Sequence, residues 1–168
     1  MDRLDRYKVD FRAVATGTEE YEWHVDTDFF AGVQSADIQS GEADVTLCVK
    51  PVGGAMEMLF HIEGEVQVAC DRCLEPMSLR VSLHRELAAR WGGEYEDDGE
   101  SITVPEDTGE VNVAWNIYEL ISLEVPLRHV HPDGQCSGEV ERLLGQYEAR
   151  EPGGAGGAPA DGRWSGLR

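Results

Sequence analysis

Apolar residues recur at every second position through much of the chain, and each such run predicts a half-buried strand. Tyr7, Val9 and Phe11 alternate with Lys8, Asp10 and Arg12 until Gly17, and Tyr21, Trp23 and Val25 repeat the pattern. Thr27 is placed to cap a short helical turn whose Phe29 and Phe30 read as core or lid residues, ahead of an exposed aromatic contact for a partner. Ala43, Val45, Leu47 and Val49 make the next inward set, while Asp44, Thr46 and Cys48 face the other way. Cys48 therefore reads as a free thiol on a polar face. A turn at Pro51-Val52-Gly53-Gly54 leads into a further inward set of Met56, Met58, Phe60 and Ile62.

Gly64 decides how the chain continues. A two-residue hairpin at Glu63-Gly64 would turn Glu65 and Gln67 inward in place of Val66 and Val68. A continuous strand with a bulge or corner at Gly64 keeps the even positions from Met56 to Cys70 on one face, as in a strand that bends within a curled sheet. After the turn that starts at Cys70, Leu79, Val81, Leu83, Leu87, Ala89 and Trp91 share one parity. Arg85 breaks it, and reads as a bulge sooner than as a guanidinium reaching a carboxylate from a half-buried position.

Periodicity weakens from Gly92 to Pro105, an acidic stretch that reads as a solvated loop with a short strand from Ser101 to Val104. The spacing changes at Ala114, where Ile117, Leu120 and Ile121 form the stripe of a helix running to about Leu123. Asn112 or a neighbour caps it and Pro126 prevents its continuation. A last short helix fits Ser137 to Arg150, and the Gly-, Ala- and Pro-rich residues 151–168 read as a disordered tail. The expected architecture is a single α+β domain over residues 1–150, a curled and mostly antiparallel sheet or open β-barrel with one or two packed helices.

The chain has 168 residues, sufficient for one domain with a sizeable core. Acidic residues outnumber basic ones 33 to 14, a formal charge of -19 that repels phosphate backbones and lowers the expectation of extensive RNA or DNA contact. Arg72, Arg80 and Arg90 are the candidates for a local RNA or partner contact. No apolar run suggests a secretory signal or a bilayer span, so a cytoplasmic protein with reduced thiols is expected.

That expectation bears on Cys70-Asp71-Arg72-Cys73, the most specific stretch in the sequence. Its two thiolates supply half of a tetrahedral zinc site, and the loop after the helix offers Cys136 with His131 or His129 as the other half. A second reading is a thiol-redox pair, but that chemistry uses a helix N-terminus to lower a thiol pKa, and here the pair joins two predicted strands. A third is plain thiols shaping a turn. No Walker loop, nucleophile elbow or paired-histidine metalloprotease motif is present, so no catalytic constellation is assigned.

Taken in order, Gly17, Tyr21-Glu22-Trp23, Phe29-Phe30, the Cys70–Glu75 turn, Ile117-Tyr118-Glu119, Ile121, Leu123, Pro126, His131-Pro132 and Cys136 resemble the YceD-like family. Its members are the large ribosomal RNA subunit accumulation proteins of bacteria and plastids. The resemblance implies a non-enzymatic, cytoplasmic ribosome-biogenesis factor supporting accumulation of large-subunit ribosomal RNA. Many members carry further cysteines in the C-terminal motif. This chain keeps Cys136 and has histidines where others have thiols, which excludes a four-cysteine site and leaves Cys70, Cys73, His131 and Cys136 as the mixed set. The acidic charge makes basic ribosomal proteins or large-subunit assembly intermediates the expected partners, with direct RNA contact not favoured. The competing classes are a small zinc-binding or thiol-redox protein and a general acidic interaction module.

Overall fold

The computed structural model describes residues 3–148. After one 3-10 turn, Asp5–Tyr7, the elements run β1 (Lys8–Asp10), α1 (Phe11–Val14), β2 (Glu19–Val25), α2 (Thr27–Gly32), β3 (Ile38–Val52), β4 (Ala55–Ala69) and β5 (Pro76–Gly92). Then follow β6 (Glu96–Asp97), β7 (Ser101–Pro105), β8 (Glu110–Asn112), α3 (Ala114–Glu124) and α4 (Gly138–Glu148). Residues 149 and 150, and the stretch 151–168 read as a disordered tail, lie outside the described residues.

Six strands form one open, mixed sheet in the order β2-β3-β4-β5-β7-β6, with β2 and β6 at its edges. All its pairings are antiparallel except β5 with β7. The fold is therefore α+β with a curled, mostly antiparallel sheet that does not close into a barrel. Strands β3, β4 and β5 are long, and β3 and β4 are joined by a two-residue hairpin at Gly53-Gly54, both with positive φ. Mirror-image turns of this kind match the twist of the strands, and glycine enters them without steric cost.

β4 runs through Gly64 with its register intact, Ala43 opposite on one side and Val81 on the other. Gly64 is thus a corner and not a bulge. A Cβ there would collide with the Glu42 carbonyl and lie 2.5 Å from Ala43 Cα, so the strands approach more closely than any side chain permits. The even residues of β4, Met56 to Val68, face the core on both sides of this point except Gly64, and Cys70 continues them as a fully buried residue.

The inner face of the sheet is covered by the N-terminal segment, by α2 and by α3. Tyr7, Val9, Phe11, Phe29, Phe30, Phe60, Ile117 and Ile121 pack into one apolar cluster with β3, β4 and β5. Dispersion and removal of apolar surface from water hold this layer together. β1 pairs antiparallel with β8, Val9 opposite Val111, and so brings the start of the chain to the threshold of α3. Among the described residues no helix is long and apolar enough to cross a membrane.

Four local expectations need correction. The alternation of Tyr7, Val9 and Phe11 gives three buried residues, but the strand is only Lys8–Asp10, because Asp10 accepts from the Arg12 N–H and starts a helical turn at Phe11. The cap of α2 is Asp26, whose side chain accepts from the Phe29 N–H, so the helix begins at Thr27 itself. Arg85 is no bulge: it pairs in register with Phe60, stays more than half exposed, and reaches Glu124 near the end of α3 at 3.9 Å. The acidic stretch 92–105 is partly ordered by β6 pairing with β7.

Candidate metal centre

The β4–β5 hairpin closes through residues 70–75. Cys70 N–H donates to the Glu75 carbonyl and Leu74 N–H to the Cys70 carbonyl, both at 2.9 Å. Leu74 takes the left-handed conformation (φ +61°), a geometry that costs a side-chain-bearing residue energy and persists where its surroundings hold it. This tight loop turns Cys70 inward at the end of β4 and places Cys73 beside it.

The other half arrives from the segment after α3, where Asp71 ties the two loops together. Its backbone N–H donates to the His129 carbonyl at 2.9 Å, and its carboxylate accepts from the His129 N–H at 2.8 Å. The His129 ring is turned away from the thiols, with Nδ1 3.0 Å from the Pro126 carbonyl and Nε2 3.6 Å from Asp71. His131 is the histidine that enters the cluster. Its Nε2 sits 3.2 Å from the Pro76 carbonyl, a contact that assigns the ring proton to Nε2 and leaves the Nδ1 lone pair facing Cys73 Sγ at 3.3 Å.

Cys136 completes the set, its Sγ 4.0 Å from Cys70 Sγ and 3.9 Å from His131 Nδ1. The four ligand atoms of Cys70, Cys73, His131 and Cys136 all lie within 4.8 Å of one another, close enough to bind one metal ion, and among the described residues no other group does this. Cys48 stays on the outer face of β3, half-buried and apart.

The electrostatics inside the cluster are uneven. Burial opposes ionisation of Cys70, but the N–H groups of Cys73, His131 and Arg72 point at its sulfur and bring its pKa down to about 6. Two of these bonds, from Arg72 and His131, measure 3.4 Å. Cys136 is pushed up to about 11 by burial and by its thiol neighbours. One thiolate is therefore prepared at neutral pH, and a second like charge beside it is resisted until a cation arrives. The pair does not sit at a helix N-terminus, since Pro76 opens β5, so the architecture that poises a dithiol for disulfide exchange is absent here.

The arginines do not gather. Arg72 borders the cluster and pairs with Asp133 at 3.7 Å. Arg80 lies on the outer face of the sheet opposite Glu65, and Arg90 lies about 33 Å further along β5, opposite Thr103. Sequence reasoning did not single out Asp71, whose place inside the cysteine turn was the available signal. The Pro76 carbonyl, being backbone, left none.

A family model described as large ribosomal RNA subunit accumulation protein YceD matches residues 58–168. No curated protein and no solved structure matches the chain. The matched stretch begins within β4 and takes in all four candidate ligands. It leaves out β1 to β3, including the Tyr21-Glu22-Trp23 and Phe29-Phe30 residues of the resemblance, and it extends through residues 151–168, beyond where the resemblance ended. On a match spanning well over half of its length, the chain belongs to the YceD family.

Proposed function

We propose that this protein is a non-enzymatic factor supporting accumulation of large-subunit ribosomal RNA. In this reading it works in the cytoplasm through basic ribosomal or assembly proteins, with a zinc ion clasping the β4–β5 loop to the segment after α3. The family match over residues 58–168 carries the ribosomal part. The charge of -19 supports contact with proteins over contact with RNA, and the exposed outer face of the sheet, with Glu20, Glu22, Glu42, Asp44, Glu63 and Glu65, repels a phosphate backbone.

Zinc is favoured by the donor set and by its dimensions. Three thiols and one imidazole are the soft ligands of a structural site with no position left open. Bond lengths of about 2.3 Å to sulfur and 2.0 Å to nitrogen put tetrahedral edges at about 3.5 to 3.8 Å. Three of the six separations, 3.3, 3.9 and 4.0 Å, bracket that range, and all six lie within 4.8 Å, so a small inward movement of the side chains closes the site. The bound ion would supply charge neutralisation for the thiolates and a covalent-strength link between loops that Asp71 with His129, Pro76 with His131 and Arg72 with Asp133 already join more weakly.

Depletion of the protein in its own cell, followed by quantification of large-subunit ribosomal RNA and its precursors against small-subunit RNA, tests the functional reading. A selective fall of the large-subunit species is expected. Unchanged RNA with normal particles would overturn it and leave a general acidic interaction module.

A further inference from the structure

We propose that the free edge of β2 takes up an extended, lysine- or arginine-bearing segment of a partner protein as an added strand of the sheet. For the origin of that partner the proposal rests on the reading of the protein as a factor that works through basic proteins, and it gives that contact a place. β2 pairs only with β3, and among the described residues no backbone hydrogen bond reaches it from outside the sheet.

Which backbone groups stand open follows from the neighbouring hairpin. Val52 and Ala55 close the two-residue turn between β3 and β4, so the backbone groups of Val52, Lys50 and every second residue back to Asp44 point to β4. Those of Val45, Leu47 and Val49 point the other way and meet Trp23, Tyr21 and Glu19. The N–H and C=O groups of Glu20, Glu22 and His24 therefore point out of the sheet. Among the described residues only the His24 carbonyl has a partner, and that partner is a guanidinium: Arg6 Nη2 donates to it at 3.3 Å. Open backbone groups in such a row are a template for a further strand.

The usual devices that close an edge are missing, since β2 has no lysine, no proline and no bulge along its seven residues. Its charge selects the guest instead. Glu20 and Glu22 are exposed on the outer face with no ion-pair or hydrogen-bond partner among the described residues, and Glu42 and Asp44 continue the same sign on β3. On the opposite face Tyr21 and Trp23 stack at 5.6 Å and are half-buried, which leaves apolar rims for every second residue of an incoming strand. Basic residues on one side and apolar ones on the other thus complement β2.

Other guests fit less well. An antiparallel pair of two β2 strands from two copies of this chain sets Glu22 opposite Glu22 or Glu20, and like charges directly opposite one another are destabilising. Nucleic acid is repelled by the same carboxylates.

The test uses the full chain and a fluorescein-labelled peptide of alternating lysine and valine, followed by anisotropy at physiological ionic strength. Two further peptides carry N-methyl groups on every lysine or on every valine, which keeps the charge and blocks hydrogen bonding along one edge of the peptide or the other. One of these is expected to lose at least about tenfold in affinity and the other to stay within about threefold. Glu20→Gln combined with Glu22→Gln should weaken the parent peptide about fivefold. Glu94→Gln combined with Glu96→Gln, the same charge change at the β6 edge about 24 Å across the sheet, should weaken it by less than about twofold. Circular dichroism confirms that each variant is folded. No difference between the two N-methylated peptides, equal weakening by the two double variants, or no binding by the unaltered protein would each overturn the proposal. So would a dimer in sedimentation equilibrium that excludes the peptide, which assigns the edge to a second copy. The functional reading fails separately: edge-dependent binding together with unchanged ribosomal RNA on depletion retains the edge and removes the ribosomal role.

Discussion

Cys73 Sγ and His131 Nδ1 stand 3.3 Å apart across 58 residues of chain. Nothing local brings them together; the β4–β5 loop and the segment after α3 must both be placed before the contact exists. The protein isolated without chelator is therefore expected to hold zinc at one ion per chain. Cys73→Ser and His131→Ala should release it, whereas His129→Ala, whose ring faces Pro126 and Asp71, should retain it with affinity lowered by about 10- to 100-fold at most. Atomic absorption on the purified variants decides this. Free zinc at a thousandfold excess over Kd adds about 4 kcal/mol to stability, so removal by chelator should lower the melting temperature. An unchanged melting temperature would speak against a structural ion.

Gly64 provides a backbone test of the corner in β4. Alanine there must displace Ala43, whose Cα lies 2.5 Å from the added Cβ, and both neighbouring strands are in register at that point. Gly64→Ala should cost about 3 kcal/mol or more in urea unfolding. Gly93→Ala, with open space around the added atom, should stay within about 0.5 kcal/mol of the parent.

Asn112 joins two distant parts of the chain. Its Oδ1 accepts from the Ala114 N–H at 2.9 Å at the start of α3, and its Nδ2 donates to the Leu4 carbonyl at 2.7 Å. Asn112→Ala should lose about 1 to 2 kcal/mol. Asn112→Asp keeps the acceptor for Ala114 and gives up the donor, and should recover part of that loss in the same unfolding experiment.

His24 reports on the outer face. Asp44, directly opposite on β3, hydrogen bonds His24 Nδ1 at 2.8 Å and raises its pKa; desolvation opposes this, and the charges of Asp44, Glu42 and Asp26 add lesser contributions in the upward direction. A histidine whose folded pKa exceeds the unfolded value of about 6.5 contributes stability that is full below that value and lost as pH rises through the folded pKa. The pair is exposed, so the effect on folding is small and the midpoint itself is the readout. NMR titration should place His24 above an ordinary histidine, and Asp44→Asn should bring it down; equal midpoints would show that the pair does not form.

What the sequence makes legible follows from how local the cause is. The period-two alternation from Met56 through Val68 fixes which face is buried, since a one-residue slip would turn all of it outward. Cys70, Cys73 and Cys136, with one histidine from the loop after α3, are identifiable by donor chemistry before any geometry is known. The choice between His131 and His129 is not, because it depends on the Pro76 carbonyl and on the Asp71 link between loops. Lys8 opposite Asn112 and Ala89 opposite Ile102 are pairings that neither partner announces: the first spans most of the chain, and the second is the parallel pair of the mixed sheet. Arg85 misled because a charge at an inward parity looks like a break in register, whereas at the end of α3 a guanidinium finds Glu124 and solvent. Asn116, buried in α3, gave no signal at all, since an asparagine beside an apolar helical stripe reads as a surface residue.

Cys136 lies two positions ahead of Gly138, the first residue of α4. Leu143, Leu144 and Tyr147 are exposed on that helix at the spacing of a single apolar row. While Cys136 is held at the cluster, the helix starts from a fixed anchorage. Once it is released, the chain is free back toward His131, which the Pro76 carbonyl still holds, and each residue freed adds up to about 3.4 Å of reach. The volume swept by the apolar row grows with the cube of that reach, so its effective concentration at any one surface falls accordingly. A closed cluster would thus set how far the apolar row of α4 can travel from the sheet.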